Sequence, residues 1–575
     1  MSRFPREGTT PHSPRQPQDA PWWRDAVVYE VYVRSFTDSD GDGEGDLQGI
    51  RSRLGRLRDL GVDALWLTPF YRSPLADGGY DVADYRDVDP RFGSLNDFDA
   101  LVAAVHEHGL RLIVDIVPNH TSDQHRWFQE ALAAEPGSPA RERYIFRSGR
   151  ESSSSERSAE EEPPTDWPSA FGGSAWKQLP DGEWFLHLYA PEQPDLNWRN
   201  PEVRSEFEDI LRFWLDRGVD GFRIDVAAGL FKDPEFRDLG DRSRHVVDGP
   251  IYSRPEVHEV YRDWRRIIDS YEGERMAIGE VWTDSPEDLA LYLRPDELHQ
   301  AFQFDLQLAK WSASAFRKVI TDTLAAIEPT GSAPTWVLSS HDSVRHVTRY
   351  EQPAGPPGIG TPPGIGGPSG IGGSPGIGLT RARAALLLLL ALPGSAYLYQ
   401  GEELGLPEVT DIPEAALQDP IWERSGHTKR GRDGCRVPLP WSGKNEPFGF
   451  SPGDARPWLP MPEAWRSLTA EAQDEDPAST LSFYKEALAA RRKLLPDLPD
   501  TLEWLELGDD VVAFRRGPLT CVLNCGNAPV RLPDVRLSDV PPPDVRLPGE
   551  RRLLLGSAPV EGDLLPANAS AWLLG

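Results

Sequence analysis

From Trp22 onward the chain alternates short apolar runs with stretches whose apolar residues recur every three or four positions. The runs AVVYEVYV, VDALWLT, RLIVDIV, VDGFRID, RMAIGEV, AFQFDL, TWVLSSH and SAYLYQG have the length and the β-branched and aromatic content of buried strands. Helical patterns lie between them. DFDALVAAVHEHG before the third run and RSEFEDILRFWLDRG before the fourth carry apolar residues at helical spacing and end in glycine, the residue that closes a helix with least strain. Strands alternating with helices predict a parallel sheet of the α/β class, and eight of them predict a closed (β/α)8 TIM barrel.

The gap between the third and fourth strands is too long for one helix, which predicts a lobe inserted over residues 119–199. The barrel then occupies 21–118 and 200–496. After the helical stretch LSFYKEALAARRKL the pattern turns to short alternating runs, which predicts a C-terminal all-β domain over 497–575. Residues 1–20 are polar and proline-rich, without the apolar core of a secretion signal, so a disordered tail and a cytoplasmic protein are expected. Two low-complexity stretches are expected to be loops: Gly149 to Thr165, rich in Ser and Glu, and Pro353 to Gly378, with its PGIG repeat after strand seven. The greasiest run, Ala384 to Leu392, is about half a membrane span and ends at Pro393, so no membrane partner is expected.

Charge and cysteine content narrow the partners. With 91 acidic against 61 basic residues the formal charge is -30, which argues against a nucleic-acid backbone and suits a small neutral ligand. Cys435, Cys521 and Cys525 leave no even disulfide framework.

Asp225, Glu280 and Asp342 each follow the downstream end of an apolar run. In a (β/α)8 barrel those ends share one face, so three carboxylates would meet in one pocket. Arg223 lies two residues before Asp225 and points the same way. A guanidinium there is expected to keep Asp225 ionised, as a nucleophile must be. Glu280, held protonated by neighbouring negative charge, could then donate to a leaving oxygen. Asp115 and Asn119 at the end of strand three read as loop braces. A separate cluster, TDSDGDGEGDLQGI, offers Asp38, Asp40, Asp42, Asp46 and the main-chain carbonyl of Glu44, a set suited to a hard divalent cation.

The segments GVDALWLTPF, DIVPNHTS, QPDLN, GFRID, GEVW, SSHD and YQGEELG, in this order, resemble glycoside hydrolase family 13, the α-amylase family. The resemblance implies a barrel with a lobe after strand three and a C-terminal β domain. It implies Asp225 as nucleophile, Glu280 as general acid/base and Asp342 as the carboxylate that holds sugar hydroxyls, with retention of anomeric configuration. It implies that Tyr80, Asp81, His120, Arg223 and His341 grip a glucose unit, Tyr80 by stacking. Arg432 or Arg436 of RDGCR would pair with Asp81 or reach a hydroxyl. QPDLN resembles the oligo-1,6-glucosidase branch, in which the first cluster binds a structural Ca2+ or Mg2+. No organic cofactor is implied. The expected activity is an exo-acting α-glucosidase releasing glucose from maltose- or isomaltose-like sugars, with a trehalose synthase or a sucrose-active enzyme as the alternative. A non-catalytic transporter partner would have lost the acids, which this chain retains. Linkage preference and oligomeric state stay open.

Overall fold

The computed structural model describes residues 20–150, 161–351, 376–533 and 551–575. The expected tail, except for Ala20, and the bulk of both expected low-complexity loops lie outside the described residues. All eight predicted strands form and close into a barrel: β1 (Val27–Val31), β2 (Ala64–Leu67), β3 (Arg111–Ile116), β4 (Gly221–Ile224), β5 (Met276–Gly279), β6 (Gln300–Gln303), β7 (Thr335–Val337) and β8 (Ser395–Tyr399). Every pairing is parallel, and β1 closes on β8 with Val27 opposite Ala396.

Alternation along each strand sends one set of side chains into the barrel and the other out to the helices. Val28, Trp66, Ile113, Ile278, Phe302 and Tyr397 fill the interior. The strand β4 differs, because its inward positions are Gly221 and Arg223. A Cβ on Gly221 would stand 2.8 Å from the Met276 sulfur, so the glycine makes room for that side chain while Arg223 stands at the mouth.

The helices begin where their caps place them. Ser94 and Asp97 form a reciprocal capping box at the start of Leu95–Glu107, and Asn200 caps Pro201–Asp216, whose proline occupies the first turn. Between β3 and β4 a three-stranded antiparallel sheet of Phe146–Ser148, Glu183–Leu186 and Trp176–Gln178 builds part of the connection. The flanks of the Ser- and Glu-rich stretch, expected to be loop, are tied together: Arg150 and Glu162 exchange main-chain hydrogen bonds of 2.8 and 3.0 Å.

The PGIG stretch also ends earlier than expected, since Ile377 and Gly378 already belong to the helix Ile377–Ala391. Its leucines are buried on all sides, against the helix Thr480–Leu494 and the C-terminal sheet. That sheet is antiparallel and five-stranded, from Glu503–Trp504, Val511–Arg516, Leu519–Asn524, Ala569–Leu574 and Arg552–Gly556. Trp572 of the sheet donates its indole N–H to the Leu387 carbonyl at 3.0 Å. All three cysteines are free, and among the described residues no helix is long and apolar enough to cross a membrane.

Behind the mouth, the chain after β8 buries Glu402 and half-buries Glu408. Burial lifts Glu402 to about 8 against the N–H of Tyr399 and the charge of Arg345, and lifts Glu408 to about 7. Both start near 4.5 when unfolded. At these two groups the folded chain holds more protons than the unfolded one from about pH 4.5 to 8, so their contribution to stability falls as pH rises through that window. Histidines that burial lowers to about 4, among them His120, His125, His187 and His245, act in the opposite direction below about pH 6.5, so thermal denaturation followed by circular dichroism is expected to show Tm decreasing between about pH 7 and 8. Glu402→Gln, neutral at every pH, is expected to flatten that decrease and raise Tm at the alkaline end. An unchanged slope would remove Glu402 as its source.

Candidate active site

The three acids meet at the barrel mouth around one guanidinium. Arg223, with its side chain 2% exposed, donates from Nη1 to Asp115 Oδ1 at 3.0 Å and to Asp225 Oδ1 at 2.6 Å, and from Nη2 to Glu280 Oε2 at 2.8 Å. Burial lifts Asp115 to about 6 and Asp225 well above the usual carboxylate range. Arg223 opposes both shifts, and the Glu280 carboxyl beside Asp225 adds to the second. The expectation that Arg223 simply keeps Asp225 ionised is corrected here, because its charge is divided among three acids. One positive charge cannot balance three negative ones in a buried cluster, so the site retains a proton, and a general acid requires one.

Glu280 is fixed at both oxygens. Oε1 accepts the Trp282 indole N–H at 3.0 Å, and Oε2 also accepts the main-chain N–H of Val226 at 3.1 Å. Trp282 is held flat against Phe304, with ring centroids 4.1 Å apart and planes 9° from parallel. Val226 has φ of +46°, a strained conformation for a β-branched residue, and this kink after Asp225 turns its N–H toward Glu280.

Asp342 has the opposite electrostatics. Its Oδ1 accepts from Arg432 Nη1 at 2.9 Å and Arg436 Nη2 at 2.8 Å, and His341 Nε2 lies 3.2 Å from Oδ2. Burial works to raise this carboxyl, and His341 with the two guanidinium groups overcomes it, holding Asp342 well below the usual range. Burial also lowers the His341 imidazole, which leaves the arginines as the fixed positive partners. Both candidate arginines therefore reach the third carboxylate.

Arg432 alone continues, to Asp77 and Asp419. The arginine partner in DGGYD is thus Asp77, and the expected pairing with Asp81 is corrected. Asp81 is buried, lies under the loop and accepts the main-chain N–H groups of Ala76 and Asp77 at 2.9 and 3.0 Å. Gly78 and Gly79 both have positive φ, and a Cβ on Gly78 would stand 2.7 Å from the Tyr32 hydroxyl. That tight turn is the sequence signal that Asp77 faces the pocket. Tyr80 stacks on His341, with centroids 5.2 Å apart and planes 7° from parallel, and its hydroxyl donates to Asp115 Oδ2 at 2.9 Å. His120, which burial lowers to about 4, stands 3.1 Å from the Tyr80 carbonyl. Gln193 of QPDLN donates to Asp77 Oδ2 at 3.1 Å and its amide nitrogen lies 3.0 Å from His120 Nε2. Further residues missed from sequence are Tyr189, whose ring lies 5.3 Å from that of His120, and Phe171, packed under the Arg432 guanidinium at 4.9 Å. Both come from the connection between β3 and β4.

The acidic loop after β1 divides. Asp38, Asp40 and Asp42 bring carboxylate oxygens within 4.8 Å of one another and could chelate a metal ion. Asp38 is pre-set by the main-chain N–H groups of Asp40, Gly41 and Gly43. Asp46, expected as a side-chain ligand, instead caps the helix Leu47–Leu60 while accepting from Ser39, and Glu44, expected to ligate through its carbonyl alone, pairs its side chain with Arg34 at 2.7 Å. Glu44 is left with its carbonyl as an available ligand.

An internal cation ties the lobe to the mouth. Lys232 is 4% exposed, and its ammonium lies 2.8 Å from both Asn119 Oδ1 and Asp195 Oδ2 and bonds the Gly229 carbonyl. Asp195 in turn accepts from Asn119 at 3.1 Å, so Asn119 is the brace expected of it. Removing the cation strands a buried carboxylate, which costs about 3–5 kcal/mol. Lys232→Met is expected to lose about that much stability in urea unfolding and to raise KM by displacing Gln193. A loss below about 1 kcal/mol, the scale of a surface pair, would count against the tie.

The catalytic domain of α-amylases, as a family model, matches residues 30–497. A probable α-glucosidase of Rhizobium meliloti (strain 1021) is 37% identical over 519 residues, 87% of each chain. The α-glucosyl transfer enzyme XgtA, 35% identical, superposes with a TM-score of 0.79 over 97% of this chain and 100% of its own. The trehalulose synthase MutB of Pseudomonas mesoacidophila MX-45, 28% identical, does so with a TM-score of 0.80 over 96% and 99%. Acids converging at the mouth of a closed barrel and these likenesses along nearly the whole chain agree: the chain is an enzyme of the α-amylase family, glycoside hydrolase family 13, in its oligo-1,6-glucosidase and α-glucosidase branch.

Proposed function

We propose that the chain is a retaining, exo-acting enzyme on short α-glucosides, in which the proton retained by the Arg223 fork passes to Glu280 when substrate binds, so that Asp225 attacks the anomeric carbon as a carboxylate and Glu280 protonates the leaving oxygen. The observation that carries this reading is the shared Arg223 fork. Asp225 and Glu280 bound to one guanidinium leave no room between them for the water an inverting pair places there, at carboxyl separations of about 6.5–9.5 Å. Asp342, ionised between Arg432 and Arg436, would hold ring hydroxyls as positive charge grows on the sugar. Asp77, His120 and His341 would grip the same unit.

The glucosyl intermediate can pass to water or to a sugar hydroxyl. Likeness to the glucosyl transfer enzyme XgtA and to a trehalulose synthase supports transfer or isomerisation, the sucrose-active alternative, more than simple hydrolysis. A panel of maltose, isomaltose, sucrose, trehalose and an aryl α-glucoside separates the two by product. New di- or trisaccharides support transfer, and glucose with the leaving group alone supports hydrolysis. Asp225→Ala is expected to lower turnover by about 10^4-fold or more with the fold intact. Residual turnover near wild type would sink the nucleophile assignment.

The ion in the acidic loop is proposed to be Ca2+ with a structural role, because three carboxylates plus a carbonyl form an oxygen set on the loop after β1. Chelation is expected to lower Tm by several degrees, with Ca2+ restoring it more fully than Mg2+. An unchanged Tm after chelation would remove the site.

A further inference from the structure

His341 has a partner that its sugar-gripping role does not explain. Glu30, in β1 and 1% exposed, places Oε1 2.5 Å from His341 Nδ1 and 3.2 Å from its main-chain N–H. The ring cannot turn away. Tyr80 stacks on one side, and Tyr32 lies on the other with centroids 5.8 Å apart and planes 28° from parallel. Its far nitrogen, Nε2, is buried and makes no hydrogen bond, although Asp342 Oδ2 stands 3.2 Å away; Oδ1 of that carboxylate is occupied by the two arginines.

Counting protons along this line leaves few arrangements. If a neutral ring carried its proton on Nδ1, the Nε2 lone pair would face an anionic oxygen, a repulsive contact in a buried site. If Glu30 keeps a proton and donates it to Nδ1, Nε2 carries a hydrogen beside Asp342. Burial raises the Glu30 carboxyl and lowers the imidazole, and both shifts favour a neutral acid beside a neutral ring. The other charged or titratable groups that act on the pair are Asp115, Arg223, Arg432 and Arg436, with Cys435 against the His341 carbonyl.

We infer that Glu30 is a positioning residue, a neutral carboxylic acid that donates to His341 Nδ1, fixes the Nε2–H form of the ring and so keeps an unpartnered donor beside Asp342 for the sugar hydroxyl that Asp342 holds. This rests on the reading of the site as an α-glucoside pocket. It makes Glu30 the far end of a proton-ordered line that begins on the opposite side of the barrel seam from Asp342.

The test compares Glu30→Gln, whose amide can still donate to Nδ1, with Glu30→Met, which cannot. Glu30→Gln is expected to keep kcat/KM within about 3-fold of wild type, and Glu30→Met to lose about 30-fold or more, on the scale of one buried hydrogen bond to a charged partner. Equal losses in both variants, or none in either, would overturn the inference. Nitrogen-15 spectra of the histidine-labelled wild-type protein, with the His341 signals assigned from His341→Gln, decide the matter without any Glu30 variant. A bare, hydrogen-bonded Nδ1 with protonated Nε2 is expected, and a neutral ring protonated at Nδ1 would overturn it. Asp225→Ala run on the same substrates keeps the two readings apart, since full activity there refutes the α-glucoside chemistry and leaves the spectra to judge Glu30.

Discussion

A single buried guanidinium, Arg223, governs this molecule. In register it sits opposite Asp115 on β3 and Ile278 on β5, so its fork reaches acids on or just beyond three adjacent strands. Slipping any of these strands by one residue would turn its mouth residues from the pocket to the helix layer. Removing the guanidinium would leave several carboxylates buried and unbalanced, at about 3–5 kcal/mol for a single pair. Strand register and chemistry are therefore the same constraint. The room for it comes from Gly221, one inward position earlier, where any side chain would strike Met276.

Two neighbouring carboxylates in the pocket are driven in opposite directions. Asp225 shares one positive charge with two other acids and is raised, whereas Asp342 accepts from two arginines, Arg436 and the Arg432 it shares with Asp77 and Asp419, and is held ionised. The difference is in partners and in depth together, since a third of the Asp342 side chain is open to the pocket whereas Asp225 is buried. A site that must move a proton at one end and hold fixed negative charge at the other needs this asymmetry. Arg432 extends the fixed end to Asp77, and Gln193 links Asp77 to His120, so the long connection after β3 completes the pocket.

The barrel was legible because strand and helix periods differ and each of the eight runs was long enough to show its own. The three acids were legible because a parallel barrel sends every strand end to one face. What escaped reading depended on side-chain direction within a turn. Asp77 and Asp81 are both acids flanking the same tyrosine, and only the two positive-φ glycines between Asp77 and Tyr80 decide which one looks into the pocket. Glu30 looked like an ordinary strand residue, and its partner lies 311 positions away. Asp46 continued an acidic rhythm that suggests a ligand, yet the helix beginning at Leu47 takes its carboxylate as a cap. The division of Arg223 among three acids was likewise invisible until Asp115, read as a brace, proved to be one of them.

The leucine-rich helix Ile377–Ala391 is buried without a break from Ala384 to Ala391, and part of its cover comes from strands made more than a hundred residues later. During synthesis that part of its apolar surface stays uncovered until the strand Ala569–Leu574 is in place and Trp572 bonds Leu387. The C-terminal sheet is thus less an appendage than the closing staple of the barrel. An ending trimmed by a handful of residues would leave the catalytic mouth untouched and the protein unable to keep itself from sticking to others of its kind.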